Sequence, residues 1–175
     1  MSEAEIIRQC IRGNPTAQKA LYEKYKVQLF ILCQRYFPTS AEASDALQDG
    51  FIKVFRDLHQ YDENKGMFVY WIRRVFVNTC LEILRKKKVE FTDINDHPGL
   101  ADIHESILDT LHLRDLTKMI QKLPVGYRTV FNMYVIEGYS HSEIAEKLNI
   151  SENTSKTQLM KAKNALRKAF EVVFK

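Results

Sequence analysis

Residues 140–161 read SHSEIAEKLNISENTSKTQLMK, and two helix starts can be located in that stretch before anything else is known. Ser140 followed three residues later by Glu143 has the capping-box spacing, in which each side chain satisfies a free backbone N–H of the other's turn. Leu148 and Ile150 are apolar, and Asn149 between them suits the left-handed residue of a tight turn. Ser151 then caps a second helix. Ala145 is small where two helices must approach closely. Two short helices joined by about three residues describe a helix-turn-helix.

Phasing the second of these helices at about 100° per residue separates two faces. Ser155, Leu159, Ala162, Leu166, Ala169 and Val173 fall on one stripe that should face a core. Asn153, Thr157, Lys161, Asn164 and Lys168 fall opposite, with Lys156 and Met160 at the flank. Hydrogen-bonding and cationic groups near the N-terminus of an outward-facing helix suit base edges and phosphates in a major groove. A basic amphipathic helix by itself is as readily a solvated face; the capped partner helix tips the reading toward DNA.

Working outward, every periodic segment is helical. Helices are predicted over Ala4–Ile11 and from Asn14-Pro15 to about Phe37, where Pro38 ends the second. Further helices are predicted over Ala41–Gln60, capped by Ser40, and from Met67 to Lys88. The polar stretch Tyr61–Gly66 is read as a loop and 91–108, with Pro98-Gly99, as a linker. Helices near Leu111–Lys122, Val125–Ile136, His141–Leu148 and Glu152–Phe174 complete the chain.

The helix from Met67 carries an apolar stripe of Phe68, Ile72, Val75, Phe76, Thr79 and Ile83. Opposite lie Tyr70, Arg74, Asn78, Leu81 and Arg85, and the helix runs out in Arg85-Lys86-Lys87-Lys88. An aromatic, an amide and arginines on one ridge can hold an exposed DNA strand by stacking, hydrogen bonding and phosphate attraction. For Phe68 and Trp71 plain core packing is the competing reading. In the preceding helix Leu47, Phe51, Val54, Phe55 and Leu58 form the core stripe. Ile52 points away from them, among Asp45, Gln48, Asp49 and Arg56, as a protein-docking face would, but a single exposed isoleucine is common and by itself favours no docking role.

Composition narrows the class. Of 175 residues 45% are apolar and 27% charged, with only six glycines and four prolines, which excludes wholesale disorder and makes an all-β sandwich with many turns a poor fit. No apolar run reaches the ~20 residues of a membrane span, and a cytoplasmic, non-inserting protein is expected. Cys10, Cys33 and Cys80 lack CxxC spacing, and His59, His97, His104, His112 and His141 lack metal-binding spacing, so no metal, cofactor or enzymatic set is expected. Residues 1–90 hold 15 Lys and Arg against 11 Asp and Glu, residues 91–112 none against 5, and residues 113–175 11 against 6. Two basic blocks flanking an acidic strip hint at a polyanion touched twice.

Two long segments together resemble the small extracytoplasmic-function class of bacterial sigma-70 factors. DALQDGFIKVFRDLHQYDENKGMFVYWIRRVFVNTCLEILRKKK looks like the family's second conserved region and LPVGYRTVFNMYVIEGYSHSEIAEKLNISENTSKTQLMKAKNAL like its fourth. The resemblance implies an all-α protein of two small helical domains, 1–90 and 111–175, joined by a flexible acidic linker at 91–110. It implies that Asp45, Gln48, Asp49 and Ile52 dock on the β′ clamp helices of core RNA polymerase. Tyr61, Phe68, Arg74, Asn78 and Arg85 would hold the non-template strand of a −10 element, with one base flipped into a pocket near the 61–68 loop. Ser151, Asn153, Lys156, Thr157, Met160 and Lys161 would read a −35 duplex. The β flap of the polymerase and an anti-sigma protein are the further implied partners. Fewer aromatics than primary members carry imply weaker intrinsic melting. Two rivals remain open at this level: a helix-turn-helix regulator acting alone on DNA, and a sigma-like decoy that binds polymerase without initiating.

Overall fold

The computed structural model describes residues 2–87, 91 and 113–173, so all but the first residue of the expected linker lies outside the described residues, as does Lys88. The chain divides into two compact units, Met1–Leu84 and Arg85–Lys175, the division falling in the last turn of a helix. The described elements are helical throughout.

The first unit holds α1 (Glu3–Ile11), α2 (Pro15–Tyr36), α3 (Ser40–Asp57) and α4, which begins at Phe68 and runs to Lys86. Asn14 caps α2 by accepting from the N–H groups of Thr16 and Ala17, with Pro15 at the first helical position where its missing N–H is harmless. The cap of α3 is Thr39 rather than Ser40: its hydroxyl accepts from Glu42 N and donates to the Glu42 carboxylate. Thr39 and Glu42 have the three-residue spacing of a reciprocal cap, and Ser40 and its would-be partner do not. Helix α3 then tightens into a 3-10 turn at Leu58–Gln60.

Leu21, Leu29, Leu32, Cys33 and Tyr36 of α2 pack with Ala43, Ala46, Leu47, Phe51 and Val54 of α3 and with Phe68, Ile72, Phe76 and Cys80 of α4, all buried. At Gly50 α3 and α4 approach closely; a Cβ there would lie 2.4 Å from the Phe76 ring. Leu81, expected on the polar ridge of α4, is buried in this core, whereas Val75 and Ile83, expected inside, are only half-buried. Thr79, Cys80, Leu81 and Leu84 are all buried, so the buried arc near the end of α4 is wider than a single stripe. Lys53 on α3 and Glu82 on α4 pair at 2.5 Å.

The second unit holds α5 (Leu113–Lys122), α6 (Val125–Phe131), α7 (His141–Leu148) and α8 (Glu152–Val173). Between α6 and α7 the chain continues as a π-helical segment, Asn132–Ile136, where an unbroken helix was expected. The wider turn keeps Met133 buried and leaves Tyr134 and Val135 exposed. Met119 and Ile120 of α5 and Leu123 just after it pack with Ala162, Ala165, Leu166 and Ala169 of α8, with Tyr127, Phe131 and Phe170 closing the edge. Phe91 is buried in this unit too, and its carbonyl accepts from Gln158 Nε2 at 2.5 Å. Gly126 makes room for that amide, since a Cβ there would meet Gln158 Oε1 at 2.4 Å.

Candidate nucleic-acid interface

The second unit builds its site from caps. Ser140 Oγ accepts from Glu143 N, and Glu143 Oε2 accepts from Ser140 N at 2.8 Å, closing the reciprocal box at the start of α7. Asn149 adopts φ 54°, ψ 50°, and Ile150 N donates back to Ala145 O at 3.0 Å. Ser151 Oγ accepts from Thr154 N at 3.0 Å and so caps α8. These bonds set the turn that aims α8. On its inner side Ser155, Leu159, Ala162, Leu166 and Ala169 are buried as phased, joined by Gln158 and Ala165, which the stripe missed. Gln158 is polar, and only its partner at Phe91, 67 residues away, explains an inward position.

On the outer side Asn153, Lys156 and Met160 are exposed, as is the capping Ser151. Thr157 and Lys161 are half-buried. The Lys161 ammonium lies 5.9 Å from the centre of the Tyr127 ring, which orients it at the edge of the face. His141, at the first turn of α7, stacks on Tyr134 with ring centres 4.4 Å apart and pairs through Nδ1 with Ser155 Oγ at 2.9 Å. Sequence reading passed over this histidine because it looked only for metal spacing.

In the first unit Tyr70, Arg74 and Asn78 project outward from α4, Tyr70 being 67% exposed; Arg85, exposed in the helix's last turn, lies just past the division between the units. At the head of α4 the loop 61–67 faces α1 across an open cleft of about 660 Å³. Ile7, Ile11, Met67 and Phe68 give it apolar walls, and Glu3, Arg8, Asp62, Glu63 and Asn64 a polar rim. Phe68 is only 2% exposed. It forms a floor held by Tyr25, Tyr61 and Trp71, with ring centres 5.1–5.6 Å from its own. Trp71 is half-buried in the same cluster, in keeping with a packing role.

Hydrogen bonds hold the loop open. Tyr61 Oη donates to Gly66 O, and the Asp62 carboxylate accepts from both the N–H and the side-chain amide of Asn64. Those bonds, the backbone one foremost, keep the Asp62 carboxyl below its ordinary range, while burial pushes the Tyr61 phenol up. The α1 wall is anchored by Glu3, which accepts from Lys24 and from Tyr25 Oη on α2. Sequence reading gave α1 no role, since no motif in it marks a wall.

The third surface is the outer face of α3. Asp45, Gln48 and Asp49 are exposed around Ile52, which is 65% exposed. The apolar side chain is thus set in a polar surround as expected from its phase.

Residues 21–89 match the model of sigma-70 region 2, and residues 113–166 that of sigma-70 region 4. The chain is 30% identical to the ECF RNA polymerase sigma factor SigW of Bacillus subtilis, covering 93% of each chain. It is 27% identical to SigM of Mycobacterium tuberculosis, over 94% of this chain and 83% of the relative. Among solved structures, the fold resembles the sigma factor RpoE of Bartonella quintana, solved with the anti-sigma factor NepR. That match has a TM-score of 0.55, 19% identity and coverage of 88% and 96% of the two chains. It also resembles CnrH, solved with the cytosolic domain of CnrY, with a TM-score of 0.51, 19% identity and coverage of 95% and 96%.

Proposed function

Because this chain belongs to the extracytoplasmic-function RNA polymerase sigma factors, we propose that its two units divide promoter reading between a melted strand and a duplex. As an alternative sigma factor it binds core RNA polymerase and directs promoter recognition and the start of transcription. Residues 1–90 form the polymerase- and −10-binding module, 91–110 the connecting segment and 111–175 the −35-binding module. The observation that carries the reading is the pairing, within one unit, of the Tyr70–Arg74–Asn78 ridge with a cleft at the head of the same helix. The ridge supplies stacking, phosphate attraction and hydrogen bonding along a single strand. The cleft is open and roomy enough to admit an unstacked base, with Phe68 and Tyr61 as its aromatic floor.

In the second module Lys156 and Lys161 meet phosphates and position the helix. Asn153, Thr157 and Met160 reach base edges, and Ser151 sets where α8 begins. Asp45, Gln48, Asp49 and Ile52 dock on the β′ clamp helices, and the −35 module lies against the β flap. No described helix is long and apolar enough to cross a membrane. The protein works in the cytoplasm by binding energy alone, without catalytic residues of its own. An anti-sigma protein holds it inactive by covering these surfaces.

Reconstitution with core polymerase on a randomised promoter library tests the reading. Transcripts should appear from a subset enriched in one −10 and one −35 sequence. Tight binding to promoter duplex without core would favour a stand-alone regulator, and competition for core with no RNA would favour a decoy. Failure to associate with core at all would overturn the assignment.

A further inference from the structure

His141 lies where α7, α8 and the π-helical segment meet. One face of its ring is covered by Tyr134, and Nδ1 is engaged by the buried Ser155 hydroxyl at the first turn of α8. A neutral ring that accepts the Ser155 proton at Nδ1 carries its own proton at Nε2. The ring is half-exposed, and Nε2 has no partner among the described residues. In that tautomer Nε2 is a donor, and the exposed Lys156 is near enough for its charge to act on the ring.

We propose that His141 is a phosphate ligand of the duplex-reading face, and that the DNA itself induces the ring to take up a second proton. This inference rests on the −35 reading above and adds to it a residue and a proton. The groups facing the ring make the coupling. Burial first, and then the Lys156 ammonium and more weakly Lys163, hold its pKa below the ordinary histidine value, while Glu152 opposes them. From the π-helical segment it faces the Tyr134 phenol ring. On its own helix the Glu143 carboxylate is engaged by Ser140. Burial first, and then the nearby cations, thus disfavour the imidazolium in the free protein. A phosphate seated against Nε2 and Lys156 cancels that repulsion and adds a charge-assisted hydrogen bond, favouring the imidazolium. On protonation Nδ1 becomes a donor and Ser155 Oγ the acceptor, so the joint between α7 and α8 is kept.

By linkage, a group that gains protons on binding makes affinity rise as pH falls between its free and bound pKa values. The test is promoter binding by the full chain with core polymerase at pH 7.5 and 6.0, using wild type and His141→Gln. Gln retains a hydrogen-bonding group but does not titrate. Wild-type affinity should gain about three- to tenfold more than the variant over that range. Its salt dependence at pH 6.0 should be steeper by nearly one unit. Identical pH profiles with promoter binding intact would overturn the inference and leave the sigma assignment standing. Absence of promoter binding by both proteins at either pH would remove both. An NMR titration of the wild-type His141 ring gives a readout independent of the variant's folding. Its midpoint should move up when a −35 duplex is added at concentrations that shift other α8 signals, and an unmoved midpoint in that bound state would overturn the proposal.

Discussion

The two candidate DNA surfaces are built on opposite terms. In the first unit, the cleft's floor is part of the hydrophobic core: Phe68 is buried among Tyr25, Tyr61 and Trp71. In the second, Asn153, Lys156 and Met160 stand clear of the core, and caps at Ser140 and Ser151 aim the helix that bears them. Stability and recognition are therefore coupled in the first surface and nearly separable in the second. A stacking platform must be rigid and partly desolvated, which favours building it from core aromatics. A groove-reading helix needs long side chains in water and a fixed axis.

The sharpest way to break this contrast is Phe68→Ala. The loss of a buried ring should destabilise the first unit by about 3–5 kcal/mol, read by denaturant unfolding, and should abolish promoter opening along with it. A variant of wild-type stability would show that the floor is not part of the core. Next in size is Gly50→Ala. Its new methyl would meet the Phe76 ring, and overpacking should cost about 1–3 kcal/mol with the ridge on α4 displaced. Unchanged stability would mean that α3 and α4 separate freely.

Ser140→Ala should lower the second unit's stability by about 1 kcal/mol by removing one arm of the capping box, measurable as a lower thermal midpoint. Glu3 offers a pH-dependent test of the first unit. Burial raises its pKa, but hydrogen bonds from Lys24 and Tyr25 outweigh that and leave the carboxyl below its ordinary 4.5. Its contribution is present above that value and lost as pH falls through the lowered one. Wild type should lose its advantage over Glu3→Gln only on such acidification; a constant difference from pH 7 to 3 would contradict the linkage. The smallest thermodynamic effect belongs to Lys161→Ala. Stability should change by less than about 0.5 kcal/mol, while the salt dependence of −35 binding falls by about one unit. An unaltered salt slope would assign Lys161 to its contact with Tyr127 alone.

Most elements were legible because their signals are local. Asn14-Pro15, the Ser140–Glu143 box and Asn149 each act within one turn, so their geometry follows from residue type and spacing. Most of the errors arise where distant chain decides. Leu81 is buried although its phase set it on the polar ridge of α4, and Gln158 turns inward because Phe91 supplies its acceptor. Thr39 was displaced by Ser40 as the expected cap only because the Thr39–Glu42 spacing was overlooked.

From the order of residues alone came an all-helical chain with a helix-turn-helix near its end, an outward cationic face on α8, and an isoleucine stranded among acids on α3. Hydrophobic period and capping chemistry are properties of a few successive residues, and need no knowledge of neighbours. Packing alone brought α1 against the 61–67 loop to make a cleft, widened the helix at Asn132–Ile136, and set His141 between Tyr134 and Ser155. The cleft and the seat of the histidine join separate elements, and such encounters depend on how whole helices cross.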